Sequence, residues 1–92
     1  MNPEDRYELV VARPAARAIA VELPEAVAAA VIEFVTGDLL LAPRRVGHEL
    51  RNELVGVFSA RRGTYRVLYR IDEAAREIVV LRIDHRRDVY RT

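Results

Sequence analysis

Val55-Gly56-Val57-Phe58-Ser59-Ala60-Arg61-Arg62-Gly63-Thr64-Tyr65-Arg66-Val67-Leu68-Tyr69-Arg70-Ile71-Asp72 is the stretch from which the fold can be read. Its two runs, 55–61 and 64–72, are rich in the β-branched and aromatic residues that favour strands, and Arg62-Gly63 between them is short enough for a hairpin. In the second run Tyr65, Val67, Tyr69 and Ile71 share one face, while Arg66, Leu68 and Arg70 share the other, because successive side chains on a strand point to opposite sides. An arginine-bearing face is thus built into the sheet. A third run, 77–84, follows the turn-like Asp72-Glu73-Ala74-Ala75-Arg76, so the C-terminal half predicts a three-stranded antiparallel meander.

Working back toward the N-terminus, residues 44–54 show no clean period and read as a connecting loop with a few buried leucines. Before them lies an amphipathic helix that starts at Glu25. Val27, Val31, Phe34 and Val35 fall on the i, i+4, i+7, i+8 template, which suits a helix laid on a sheet. Gly37 offers an end to it, the Leu39-Leu40-Leu41 run offers another turn, and Pro43 closes it. A shorter Ala-rich helix over 15–23 lies between Pro14 and Pro24, and the run 7–11, Tyr-Glu-Leu-Val-Val, reads as a first strand. The order is short N-terminal strand, two-helix hairpin, three-stranded meander: an α+β sandwich with helices on one sheet face.

The 92 residues make one domain spanning 1–92, with 51% hydrophobic residues to supply its core. No run approaches the roughly 18–20 apolar residues of a membrane span, and the polar opening Met1-Asn2-Pro3-Glu4-Asp5-Arg6 reads as neither a secretory signal nor a transit peptide, so the expected location is cytoplasmic. Cysteine is absent, which excludes disulfides and thiol chemistry, and the two histidines His48 and His85 make a poor metal-ligand set. Neither a metal nor another cofactor is expected.

The net charge of +1 conceals an asymmetry: residues 1–43 carry −4 and residues 44–92 carry +5. All 15 basic residues are arginine. Codon bias and solvated faces account for such an excess as well as function does, so position must discriminate. Guanidinium groups grip phosphates bidentately where they converge.

Residues 56–71 of the hairpin, followed about a dozen residues later by Ile83-Asp84-His85-Arg86-Arg87-Asp88-Val89-Tyr90, resemble the RelE/ParE toxin superfamily, and the preceding helices match it too. The resemblance implies the toxin of a type II toxin–antitoxin system, RelE-like, which enters the ribosomal A site and cuts messenger RNA. It also implies a cognate RelB-like antitoxin held in a hetero-oligomeric complex. Carried over residue by residue, the family's catalytic positions fall on Arg66, Arg86 and Tyr90, with His85 beside them in the closing motif. RNA contacts are expected of Arg61, Arg62, Arg70 and Arg87. The sequence departs from the pattern at Ser59, where many members carry Lys or Arg, and Arg62 is the residue expected to substitute.

RNA cleavage without a metal uses the 2′-hydroxyl as nucleophile and needs a base near it, cations around the phosphate, and a proton for the leaving 5′-oxygen. Of the residue types present, histidine titrates nearest neutrality; a tyrosine base starts about three units higher and needs neighbouring cations to favour its phenolate. Tyr90 is accordingly assigned as base, Arg66 and Arg86 as phosphate stabilisers, and the acid is open between Arg86 and His85. Two rival readings remain: a ParE-like toxin of the same fold that poisons DNA gyrase without nuclease chemistry, and an inactive RNA- or antitoxin-binding module. The apolar ridge from Val27 to Leu41 and the cationic sheet face are both expected to suit an antitoxin segment that folds on docking.

Overall fold

A computed structural model of the chain describes residues 6–86. Five strands form one sheet in the order β1-β5-β4-β3-β2, with β1 (Glu8–Val11), β2 (His48–Glu49), β3 (Phe58–Arg62), β4 (Tyr65–Asp72) and β5 (Glu77–His85). The expected meander is β3-β4-β5. Its alternation is the one anticipated: Tyr65, Val67 and Tyr69 are buried, while Arg66 and Arg70 are exposed.

All the helices lie on the apolar face. Ala15, Val31, Phe34, Val35, Leu39 and Leu40 from the helical layer meet Phe58, Ala60, Val67, Tyr69, Ile78 and Val80 from the sheet in one core. Helix α1 (Arg13–Arg17) begins with Pro14 in its first turn and continues as a wider π-helical turn over Ala18–Glu22, closed by the amide of Leu23 donating to the Ala18 carbonyl at 2.9 Å. Helix α2 (Glu25–Thr36) stops before Gly37, and the three leucines form a separate turn, α3 (Asp38–Leu41). Pro43 closes that turn and heads the next one, α4 (Pro43–Val46), where its missing N–H costs nothing. No helix among the described residues is long and apolar enough to cross a membrane.

Three features depart from the sequence reading. Residues 44–54 are not a plain loop: they contain α4, the two-residue strand β2 and a 3₁₀ turn over Asn52–Leu54, and β2 adds a fifth strand by pairing His48 with Ser59 and Glu49 with Phe58. Neither of their leucines belongs to the buried core: Leu54 is 53% exposed and Leu50 is half-buried. Second, β1 pairs in parallel with β5, Val11 opposite Val80, a long-range choice that no local pattern encodes. Third, β5 carries a bulge: Leu68 pairs with Arg82 but the next residue, Tyr69, pairs with Val80, leaving Leu81 extra. That one residue lets Ile78, Val80, Ile83 and His85 all turn toward the helices although their numbers break strict alternation.

Candidate functional site

The uncovered sheet face gathers charge at one end. The hairpin between β3 and β4 turns tightly through Gly63, whose φ of +55° is a left-handed conformation that glycine adopts without penalty. The turn sets Arg61 directly opposite Arg66, and across the next strand pair Arg66 lies opposite Asp84. The amide of Arg86 donates to the Thr64 carbonyl at 2.5 Å, which extends the ladder by one residue and ties Arg86 beside the turn. Arg61, Arg66 and Arg86 thus come from three adjacent strand ends. They line one open cleft with Gly63, Thr64, Tyr65 and Asp84.

Like charges opposite one another on a sheet destabilise it, so the Arg61–Arg66 pairing is a cost that an anionic ligand would offset. The carboxylate that lines the cleft is itself engaged: Arg82 Nε donates to Asp84 Oδ1 at 2.7 Å. What remains is a concave, cation-rich surface with the geometry to hold a phosphate.

The other expected site residues separate. Arg70 is exposed on the same face as Arg66, further along β4 and outside the cleft, near Gly56 in the loop before β3. Arg62 belongs to the opposite face, a correction to its expected role in replacing the base missing at Ser59. Its guanidinium lies 4.8 Å over the Phe34 ring, and its Nη1 donates to the Arg61 carbonyl at 2.9 Å. His85 is also turned away from the cleft: it ends β5 opposite Tyr65, on the helix-facing side, and is 9% exposed. Ser59 is buried between β2 and β4. Tyr90 and Arg87 lie outside the described residues.

Neither core tyrosine of β4 supplies a phenolate at neutral pH. Burial pushes the Tyr69 hydroxyl up to about 12, and it donates to the Pro43 carbonyl at 2.6 Å, with its ring stacked on Phe58. Burial raises Tyr65 as well, and its hydroxyl points to the Ala30 carbonyl, 3.4 Å away in α2. A second charged cluster occupies the far end of the sheet, where Glu73 accepts from Tyr7 Oη at 2.8 Å, Arg44 at 2.9 Å and Arg76 at 3.3 Å. The Arg44 hydrogen bond, then that of Tyr7, holds the Glu73 carboxyl below its usual range. Arg44 also lies 5.7 Å over Phe58, so it acts as a brace between α4 and the β4–β5 turn.

Asp84 is the cleft residue that sequence reasoning missed. The signal that could have found it is the alternation of β4 joined to its pairing with β5, which places a carboxylate opposite Arg66.

Comparison with known proteins adds independent information. Residues 11–90 match the family described as the ParE toxin of the type II toxin–antitoxin system parDE. Toxin RelE of Mycobacterium tuberculosis is 44% identical over 91 residues, covering 99% of this chain and 93% of that protein. Toxin RelG of the same organism is 60% identical over 70 residues, covering 76% of this chain and 80% of that one. A RelBE toxin–antitoxin complex from M. tuberculosis contains a chain that superposes with a TM-score of 0.84 at 52% identity, covering 88% of this chain and 99% of that chain. The isolated E. coli RelE toxin shares the fold, with a TM-score of 0.70 at 17% identity over 86% of this chain and 83% of that one.

Proposed function

Because the chain belongs to the RelE/ParE toxins of type II toxin–antitoxin systems, we propose that it is a RelE-like endoribonuclease that cuts messenger RNA in the ribosomal A site. The observation that carries this reading is the convergence of Arg61, Arg66 and Arg86 on one cleft. Arg66 and Arg86 stabilise the charge that builds on the phosphate when the 2′-oxygen attacks, and Arg61 holds the same phosphate or its neighbour. Such a set positions and neutralises, and it gains most when the ribosome supplies the substrate already oriented. Tyr90, assigned as the base from the sequence, is a rival proton acceptor whose part in the reaction Tyr90→Phe tests.

The partner is a RelB-like antitoxin, as befits a chain whose structural relatives include RelBE complexes. It keeps the toxin inactive until released.

The ParE description of the matching family favours a second reading, inhibition of DNA gyrase by protein contacts alone. The two are separated by assaying the purified toxin for cuts in ribosome-bound message and for inhibition of gyrase supercoiling. Cleavage that is fast on programmed ribosomes and slow on free RNA supports the nuclease. Gyrase inhibition with intact message overturns it.

A further inference from the structure

Transfer of the 2′-hydroxyl proton needs an acceptor inside the arginine cleft, and the side chains that line it narrow the choice. Three are guanidiniums, which offer donors and no acceptor, and Tyr65 directs its hydroxyl away from the cleft to the Ala30 carbonyl on the helix-facing side. Among the described residues that line the cleft, the one carboxylate is Asp84, 25% exposed at the side chain, opposite Arg66 in the β4–β5 ladder. Paired residues of an antiparallel ladder lie about 4.5–5.5 Å apart at Cα, so a phosphate gripped by Arg66 brings its ribose within reach of the carboxylate.

We propose that Asp84 is the general base that accepts the 2′-hydroxyl proton when RNA occupies the cleft, an inference that rests on the endoribonuclease reading. Arg82 Nε holds Oδ1 at 2.7 Å and thereby orients the carboxylate, whose second oxygen is the proton acceptor. Among the described residues, other charges face Asp84 from the neighbouring strands and from the helical layer. Arg66 approaches from β4, Arg61 from β3 and Arg86 from the end of β5. From the helical layer, Arg13, Arg17 and Glu22 line an adjoining groove that shares Asp84 as a wall, with Glu22 bound to Arg17 at 3.2 Å. A carboxylate in this company opposes binding of a polyanion, a cost that an uncharged Asn would avoid and that base chemistry explains.

In the step, the 2′-oxygen forms its bond to phosphorus as its proton moves to Asp84, and the P–O5′ bond breaks with its electron pair going to O5′. Water protonates O5′, and the resulting hydroxide recovers the proton from Asp84. The products are a 2′,3′-cyclic phosphate and a 5′-hydroxyl. No oxidant or metal enters the balance.

The test is single-turnover cleavage on programmed ribosomes by the wild type, Asp84→Asn, Asp84→Ala and Tyr90→Phe, with thermal melts to verify folding. Asp84→Asn is expected to lose about 10²–10⁴-fold in rate. Its affinity for ribosomes whose message carries a 2′-deoxy residue at the cut should be equal to the wild type's or tighter. Asp84→Ala should regain rate in formate but not in chloride of the same ionic strength, because formate restores a carboxylate base. Cleavage by Asp84→Asn within about threefold of wild type would overturn the proposal, as would loss without formate rescue or formate rescue of Tyr90→Phe instead. A wild type that leaves ribosome-bound message intact would instead remove the nuclease reading itself.

Discussion

At the scale of single residues, the cleft depends on which side of a strand each arginine takes. Arg61 and Arg62 are neighbours in sequence, yet one lines the cleft and the other packs over Phe34. Arg62→Ala is therefore expected to lower stability through lost contact with the ring while leaving cleavage by the folded protein within about threefold of wild type; an urea titration beside the ribosome assay reads both. Tyr69 gives a pH signature. Its hydroxyl titrates at about 12 in the fold against an ordinary value of about 10, so the folded state holds the proton more tightly than the unfolded chain. Its contribution is fully present below pH 10 and is lost as pH climbs toward 12. Tyr69→Phe should flatten that part of the melting profile, and it should lower stability at pH 7 because the buried Pro43 carbonyl loses its donor, at a cost of about 1–3 kcal/mol. The motif resemblance made Arg66 and Arg86 legible in the sequence. It could not show that His85 and Arg62 turn inward, because a strand residue's side is set by register with its neighbours, and in β5 that register is shifted by the Leu81 bulge.

At the scale of elements, the three meander strands and both helices were legible because their periods are 2 and 3.6 residues, with Gly63 marking the β3–β4 turn and Pro14, Pro24 and Pro43 bounding the helices. β2 escaped notice for a physical reason: two residues are too few to show a period, and their place is fixed by close packing rather than by propensity. Gly47 leads into this strand with its Cα so near β3 and β4 that an added Cβ would press on the Tyr69 hydroxyl and come within 2.7 Å of the Ser59 carbonyl oxygen. Gly47→Ala should displace β2 and cost about 1–3 kcal/mol, measured by denaturant midpoint, and wild-type stability would show that β2 yields freely. The ridge from Val27 to Leu41 was legible as apolar but not as to what covers it. Val31, Phe34, Val35, Leu39 and Leu40 are spent on the chain's own core, leaving Ile32, 45% exposed, as the large apolar side chain that α2 turns outward.

At the scale of the whole molecule, the charge is divided along the chain: residues 1–43 carry −4 and residues 44–92 carry +5. The second segment supplies the face on which Arg61, Arg66, Arg70 and Arg82 stand exposed. With about four to six phosphate contacts, binding to single-stranded RNA should weaken with salt at a log–log slope of roughly −3 to −4, whereas a slope near zero would deny this face an RNA role. If the arginine cleft cuts message on the ribosome, the measurement that shows it is single-turnover cleavage by Arg66→Ala and Arg86→Ala on programmed ribosomes. Each variant should stay folded and lose about 2.7–4 kcal/mol of transition-state stabilisation, roughly 10²–10³ in rate, with the double variant losing less than the sum because both act on one phosphate. Cleavage by both single variants at the wild-type rate would exclude the arginine cleft as the site of cutting.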